Sequence, residues 1–464
     1  MSTKKKLLEA AAGAAGGGVT YVDDVFSTFL YKGIYSNTDI VNGIDLAGEG
    51  GLVWTKKRNS TRAHDLSDTE RGVTKSLYSS NPDAQGTDSQ GLLAFNSNGY
   101  RIGGSSSYNN TNDDYVSWTF RKQPGFFDVV TYTGNSQSVS GVNQTISHNL
   151  GTEPGMIIVK RTDGVRDWMV YHRSLGATKY LELNTTDLEA TSNHVWVQTP
   201  TSTEFYVGQD YGVNGTNHEY VAYLFAHDAQ EFGTDSDEAI IKCGSYTGNG
   251  SSSGIEVNLG FEPQWLFVKM TSHSGYYSPL VDSMRGFVVG GNDATVWPNV
   301  SDAEYNGANY LDPTSTGFIA TDTNNTNMSG RSYIYMAIRR PHKPAEEFAA
   351  TDLFKAISAV STNPSWVSGF PVDMNLQKNV IDTAGPYIWS RLTERRRLQT
   401  SATSAESSEG SAVFDYQNGV SEGQGYQLSS QYAWMWRRAP GYFDVVTYAG
   451  NGTLGRTVPH NLGV

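Results

Sequence analysis

Tyr276, Tyr277 and Trp297 are the residues best suited to grip a ligand, because flat amphipathic rings stack on sugars and anchor protein interfaces at little entropic cost. Packing beneath a long loop is the plainer alternative for them. Glu182, Asp187 and Glu189 form the closest local group of carboxylates, the residue type a glycosidase needs in pairs across the scissile bond. In a chain with 47 acidic residues, such a group arises by chance. The nine histidines give no pair at metal-ligand spacing. His148 and His460 sit in a repeated segment, where an imidazole capping a turn accounts for them. The oxygen-rich stretches 109–114 and 321–327 lack the ligand order and glycine placement of a calcium loop and read as exposed turns. No nucleophile elbow, phosphate loop or dinucleotide fingerprint occurs, and Gly103-Gly-Ser-Ser-Ser107 is loop composition. The lone Cys243 excludes an internal disulfide and a cysteine-built zinc site, and reads as a small buried hydrophobe. No cofactor is expected.

The elements that would position these residues recur along the chain. The segment Gly125-Phe-Phe-Asp-Val-Val-Thr-Tyr-Thr-Gly-Asn135 returns as Gly441-Tyr-Phe-Asp-Val-Val-Thr-Tyr-Ala-Gly-Asn451, with a weaker copy at Ile240–Asn249. His148-Asn-Leu-Gly-Thr-Glu-Pro154, Val257-Asn-Leu-Gly-Phe-Glu-Pro263 and His460-Asn-Leu-Gly463 follow the three copies. Four apolar runs ending in a basic residue read as module starts: Gly51–Lys56, Met156–Arg161, Trp265–Lys269 and Pro386–Arg391. Four closing segments match as well, Tyr115–Arg121, Tyr220–Ala226, Tyr333–Arg339 and Gln431–Arg437. In the first of these, Val116, Trp118 and Phe120 alternate with Tyr115, Ser117 and Thr119, the period of a half-buried strand whose aromatic face is core. Between start and close lies a middle marker, Asp68–Gly72, His172–Gly176 and Asp282–Gly286, with no clear counterpart in the fourth copy.

Repetition at this period, with turn residues between short strands, predicts an all-β chain: a tandem array of about four antiparallel β-sandwich modules joined by short structured β linkers. The expected divisions are a flexible N-terminal docking arm over 1–20, modules over 21–123, 124–235 and 236–341, an insertion with a short helix over 342–372, a fourth module over 373–439, and a linker hairpin over 440–464 leading into a further module. The second and third modules each open on a linker hairpin. Helical pattern is confined to Pro344–Val360. Stiff two-stranded joints would hold such modules in line as a rod.

The 464 residues suit four domains of about a hundred residues each. A formal charge of −13 argues against a nucleic-acid partner, which would need clustered positive charge. Arg395-Arg-Arg397 is a local exception and reads as a solvated turn. Neither a bilayer-spanning stretch nor a hydrophobic export core is present, so synthesis in the cytoplasm without membrane insertion is expected.

The linker, Glu-Pro and Asp68-Thr-Glu-Arg-Gly72 motifs resemble the repeated modules of large tail-fibre and other virion proteins of marine cyanobacterial phages, from about Tyr21 onward. That resemblance implies modules similar to concanavalin-A-like jelly rolls and a role in host attachment or virion assembly. The expectation is a non-enzymatic virion component that assembles as a homo-oligomer, a trimer being favoured for a fibre. Its arm would dock on other virion proteins, and its distal modules would bind a host surface glycan or envelope protein many times over. The competing expectations are a polysaccharide-degrading tail spike and a head decoration or appendage.

Overall fold

A computed structural model describes residues 19–136, 144–381, 383, 385–408, 412–422, 430–450 and 452–463. The expected docking arm falls almost wholly outside them. The chain is an array of antiparallel sandwiches, each with one large and one three-stranded sheet. In the first module the large sheet runs Phe26–Lys32, Asp114–Arg121, Gly51–Lys57, Asp65–Asp68, Lys75–Tyr78, Gly86–Thr87, and the small one Thr38–Val41, Gly99–Ile102, Leu92–Asn96. The second repeats that order from Phe127–Thr133 beside Glu219–Phe225, and the third from Ile241–Thr247 beside Ser332–Arg339. The small sheet covers the inner face of the large one, burying Ile40, Val53, Leu92, Tyr100 and Ile102 in the first module.

The repeated eleven residues are therefore no separate linker. Phe127–Thr133 is the opening strand of the second module's large sheet, and Gln144–Ser147 belongs to its small sheet. The motif recurs because its geometry does. Gly125 and Gly441 adopt φ of 75° and 79°, a conformation that favours glycine, and donate to the carbonyls of Leu150 and Leu462 at 2.8 and 2.6 Å. Asp128 and Asp444 each accept the backbone N–H of Asn149 or Asn461 at 2.7 Å. The imidazoles of His148 and His460 cap the following turn, accepting from Leu150 and Leu462 at 3.2 Å, as the sequence suggests.

The rod is overturned. Both faces of the closing strand Asp114–Arg121 are buried, because the outer face of each large sheet packs against the other two of the first three modules. Val116, Trp118 and Phe120 meet Val221, Tyr223, Phe225, Ile334, Met336 and Ile338 in one shared core. Phe120 lies at its centre, with ring centroids 5.5 Å from Phe127, 5.6 Å from Phe225 and 6.2 Å from Trp265. Modules one to three thus form a closed ring.

The middle markers are the ring's joints. Asp68 accepts from Tyr223 of the second module at 2.7 Å and pairs with Arg71 at 2.6 Å. His172 Nε2 donates to the Tyr335 carbonyl of the third at 3.2 Å, while its Nδ1 accepts from Ser174. Asp282 accepts from Trp118 of the first at 3.0 Å, and Arg285, 2.6 Å from Asp282, lies over the Trp118 ring at 5.3 Å. Three markers and three closing strands close head to tail. Backbone bonds reinforce each step: Gln85 to Thr162, Glu189 to Thr271, and Arg62 to Ser301, at 2.7 to 2.8 Å.

The fourth module keeps the plan but sits outside the ring. Its large sheet runs Phe354–Ser358, Gln431–Trp436, Met374–Asn379, Tyr387–Ser390, Leu398–Gln399. The stretch expected to be helical holds two short 3-10 turns, Ala345–Glu347 and Ala350–Asp352, and then this opening strand. Residues 342–372 are thus largely part of the module. Phe354-Lys-Ala-Ile-Ser358 is short, and the adjacent Ala356 and Ile357 break its alternation, so pattern alone does not separate strand from helix. Met374–Asn379, not Pro386–Arg391, matches the start strand of the other modules, and the missing marker is Ser390–Glu394, closed by Glu394 N–H to the Ser390 carbonyl at 2.9 Å.

Equivalent lysines end the start strands of the ring modules. Lys56, Lys160 and Lys269 are buried, donating to carbonyls of Arg62, Arg161 and Thr185 at 2.6 to 2.8 Å. Burial pushes all three amines down to about 8.

Phe120→Ala should cost about 3–5 kcal/mol and destabilise all three modules together in one urea transition. Separate transitions would contradict the ring. The unfolded chain keeps its lysine protons to about pH 10.4, so it binds more protons than the native state between about pH 8 and 10. Stability should therefore rise across that window and be lost as pH falls through 8. Lys269→Met should flatten the rise, as read from urea midpoints at each pH.

Candidate ligand-contact surface

The loop that closes the ring from the third module to the first also carries the aromatics singled out in the sequence. Leu280 bridges Val296, and Thr295 exchanges hydrogen bonds of 2.9 Å with Tyr305, so the loop extends the large sheet by short pairings. It is pinned to the first module by Ser79 Oγ donating to the Pro298 carbonyl at 2.8 Å and by Glu304 N–H donating to the Arg58 carbonyl at 2.8 Å. On this support Tyr277, Trp297 and Tyr305 form a row. The Tyr277 and Trp297 rings lie 5.6 Å apart, and Trp297 and Tyr305 5.9 Å.

Tyr277 and Tyr305 are 43% and 44% exposed, whereas Trp297 is buried to 8% between them. Tyr276 turns the other way, against the third module's own core and 5.8 Å from His273. The structure thus separates two adjacent tyrosines and recruits Tyr305, which the sequence reading missed. Its signal was faint, a tyrosine eight residues beyond Trp297 in the same polar stretch. Beside the row, Trp297 Nε1, Ser278 Oγ and Asn299 Nδ2 are buried without protein partners. The half-exposed rings of Tyr277 and Tyr305, held apart by the buried Trp297, offer flat faces on which a sugar ring or a protein side chain can stack.

A cleft of about 1210 Å³ separates the fourth module from the ring, lined by the edge strand Phe26–Lys32, by Arg58, Glu304 and Asp373, and by Asp415 and Arg438. Its carboxylates are tied to cations. Arg58 grips Glu304 through two bonds of 2.8 Å and Asp415 through one of 2.7 Å. Asp373 lies 3.6 Å from both Arg391 and Arg438. Burial opposes the Glu304 charge, yet Arg58 and Arg285 hold its carboxyl below the ordinary glutamate value. Burial pushes Asp415 up despite Arg58, and burial together with the Asp415 charge pushes up its neighbour Glu394. At the cleft wall, Arg438 holds Glu262 bidentately at 2.9 and 3.0 Å, and Arg340 holds Asp444 at 2.7 Å. The first pair fastens the fourth module to the third, and the second fastens the segment that follows the fourth module.

The remaining sequence candidates have structural partners, some at the joints and some within a module. Asp187 and Glu182 face the buried amine of Lys269, Glu189 pairs with Lys179, and burial raises the Glu182 carboxyl. Within the oxygen-rich stretches, Asn109 and Asn327 are fully buried loop organisers. Asn109 accepts from Ile34 N–H at 2.8 Å, and Asn327 accepts from Asn249 N–H at 2.8 Å. Asn214 does the same for Asn135, and each asparagine stands six residues before the tyrosine that begins a closing segment, a spacing legible in the sequence. Arg396 reaches the Gly290 carbonyl of the third module, and Arg397 lies over Tyr387 at 4.2 Å, so that arginine run meets protein on one side. Cys243 is buried, and burial raises its thiol. Among the described residues, no three His, Cys, Asp or Glu side chains converge as a metal site, and no helix is long and apolar enough to cross a membrane.

No protein of curated function matches the sequence. Residues 22–341 match the model of a domain of unknown function, DUF7483, and these bounds coincide with the three-module ring. The family unit is thus the ring as a whole, and the chain belongs to the DUF7483 family.

Proposed function

We propose that this chain is a structural component of a bacteriophage particle, a tail fibre or tail-associated protein that attaches to the host by multivalent display. The observation that carries the reading is the row Tyr277, Trp297 and Tyr305, fixed on the joint that closes a rigid ring. A contact surface on such a support loses little entropy on binding, and many weak copies on one particle add up to firm attachment. The ligand is a surface glycan or an envelope protein of the host, and the N-terminal arm docks on other virion proteins. The sequence resemblance of the repeats supports the setting.

A polysaccharide-cleaving spike is the second reading, favoured by the raised carboxyls of Asp415 and Glu394 beside the cleft. Release of reducing ends from host polysaccharide, abolished by Asp415→Asn, would establish it. Antibody labelling of particles under the electron microscope should mark the tail. Label on the head would favour a decoration protein, and particles without label would overturn the proposal.

For the contact surface, Trp297→Ala should weaken binding of host-surface glycan or envelope material at least tenfold, about 1.4 kcal/mol or more, with Tyr277→Ala acting in the same direction. Unchanged affinity in both variants would remove the row from the attachment role.

A further inference from the structure

The first three modules share one core, whereas the buried cluster of the fourth, from Ala359 and Trp366 to Ala433 and Met435, holds no residue of the ring. Polar contacts tie it there. Beside the connecting segment 340–344, Arg438 grips Glu262 and Lys343 pairs with Asp24 at 2.8 Å, while Leu392 accepts from Val289 N–H at 2.8 Å. Across the cleft from the first module, Gln417 Nε2 donates to the Thr28 carbonyl at 3.2 Å and Asp415 meets Arg58.

At that crossing stands a pair of carboxyls with too few partners. Asp415 takes one bond from Arg58, whose guanidinium also holds Glu304, and Glu304 is shared with Arg285. Glu394 is buried against the third module, with its Oε2 3.2 Å from where a side chain on Gly286 would begin and its Oε1 without a hydrogen-bond partner. The charged groups facing the pair are Arg58, Arg391, Arg395 and Glu304. None neutralises Glu394 directly: Arg391 directs its guanidinium to the carbonyls of Val372, Phe414 and Ser283, and Arg395 is exposed. A buried carboxyl beside a second one, with no cation of its own, keeps its proton. Burial first, and then the Asp415 charge, push Glu394 up accordingly.

Once that proton leaves, two negative charges share the site with Glu304 close by, and water relieves them only if the module moves. We propose that the fourth module is a proton-operated clamp: with one proton on the Glu394 and Asp415 pair it closes on the first module, and with that proton lost it swings open about residues 340–344. The closed form keeps a proton that the open form, its carboxyls in water, releases near the ordinary value of about 4.3. Closure therefore weakens as pH rises from there through the raised value. The clamp stands apart from the attachment role proposed above, since the cleft and the pair belong to the fold whatever the chain binds.

Val41 and Asn418 line the cleft from its two sides and are exposed, while Cys243 is buried and takes no label. Spin labels on the full chain carrying Val41→Cys and Asn418→Cys should give one short distance by double electron–electron resonance at about pH 6, with a longer population that grows at least tenfold by about pH 9. Glu394→Gln keeps the shape of the side chain and has no proton to lose, so in the labelled chain it should hold the short distance at both pH values. A distance distribution that does not change with pH in the labelled chain overturns the proposal, as does a Glu394→Gln chain that opens like its parent. The pH series on the parent decides the matter if Glu394→Gln fails to fold.

Discussion

A β-sheet with two apolar faces must be covered twice, and that constraint organises this molecule. In an isolated sandwich the large sheet would turn one face to its partner sheet and the other to water, with polar residues alternating outward. Here the closing strand Asp114–Arg121 is buried on both sides, its Tyr115, Ser117 and Thr119 facing the module's own interior and its Val116, Trp118 and Phe120 the shared core. The module is therefore incomplete alone. Three of them complete one another, and the match of residues 22–341 to a single family model follows the same boundary.

The joints show how an apolar interface acquires direction. Hydrophobic contact alone would let sheet faces slide or pair in other orders. The markers place one hydrogen-bonding side chain, Asp68, His172 or Asp282, at the same corner of each sheet, and each meets the closing strand of another module. A buried carboxylate left without its donor is strongly unfavourable, so the arrangement rejects misordered packings as well as favouring the native one. The chemistry varies, aspartate with arginine twice and histidine once, while the position does not.

Much of this was legible in the sequence. The repeats, the strand pattern, the all-β class, the buried Cys243 and the turn-capping role of His148 follow from spacing and residue type. The rod did not survive, because Asp128–Tyr132 reads equally as a joint between modules or as the first strand of the next, and pattern carries no information about which sheet a strand joins. The opening strand of the fourth module was hidden for a related reason: Phe354–Ser358 is too short, and Glu346 and Glu347 before it too helix-like, for periodicity to decide. The sequence named Tyr276, Tyr277 and Trp297 as one group of candidates, and the structure brings the rings of Tyr277 and Trp297 to 5.6 Å. The sequence could not tell that Tyr276 points inward or that Tyr305 completes the row, since both depend on a loop held by Ser79 and Arg58 of a distant module.

Phe120 touches rings from all three modules, the last of them Trp265, and its sheet face is sealed only when the strand ending at Arg339 is in place. During synthesis the first hundred residues leave the ribosome with a sticky face that finds its cover some two hundred residues later. Contacts of such long sequence separation form slowly. The nascent chain passes through a stage in which unfinished sandwiches are at their most prone to join the wrong neighbour, and the order of the modules along the polypeptide is also the order in which that hazard is withdrawn.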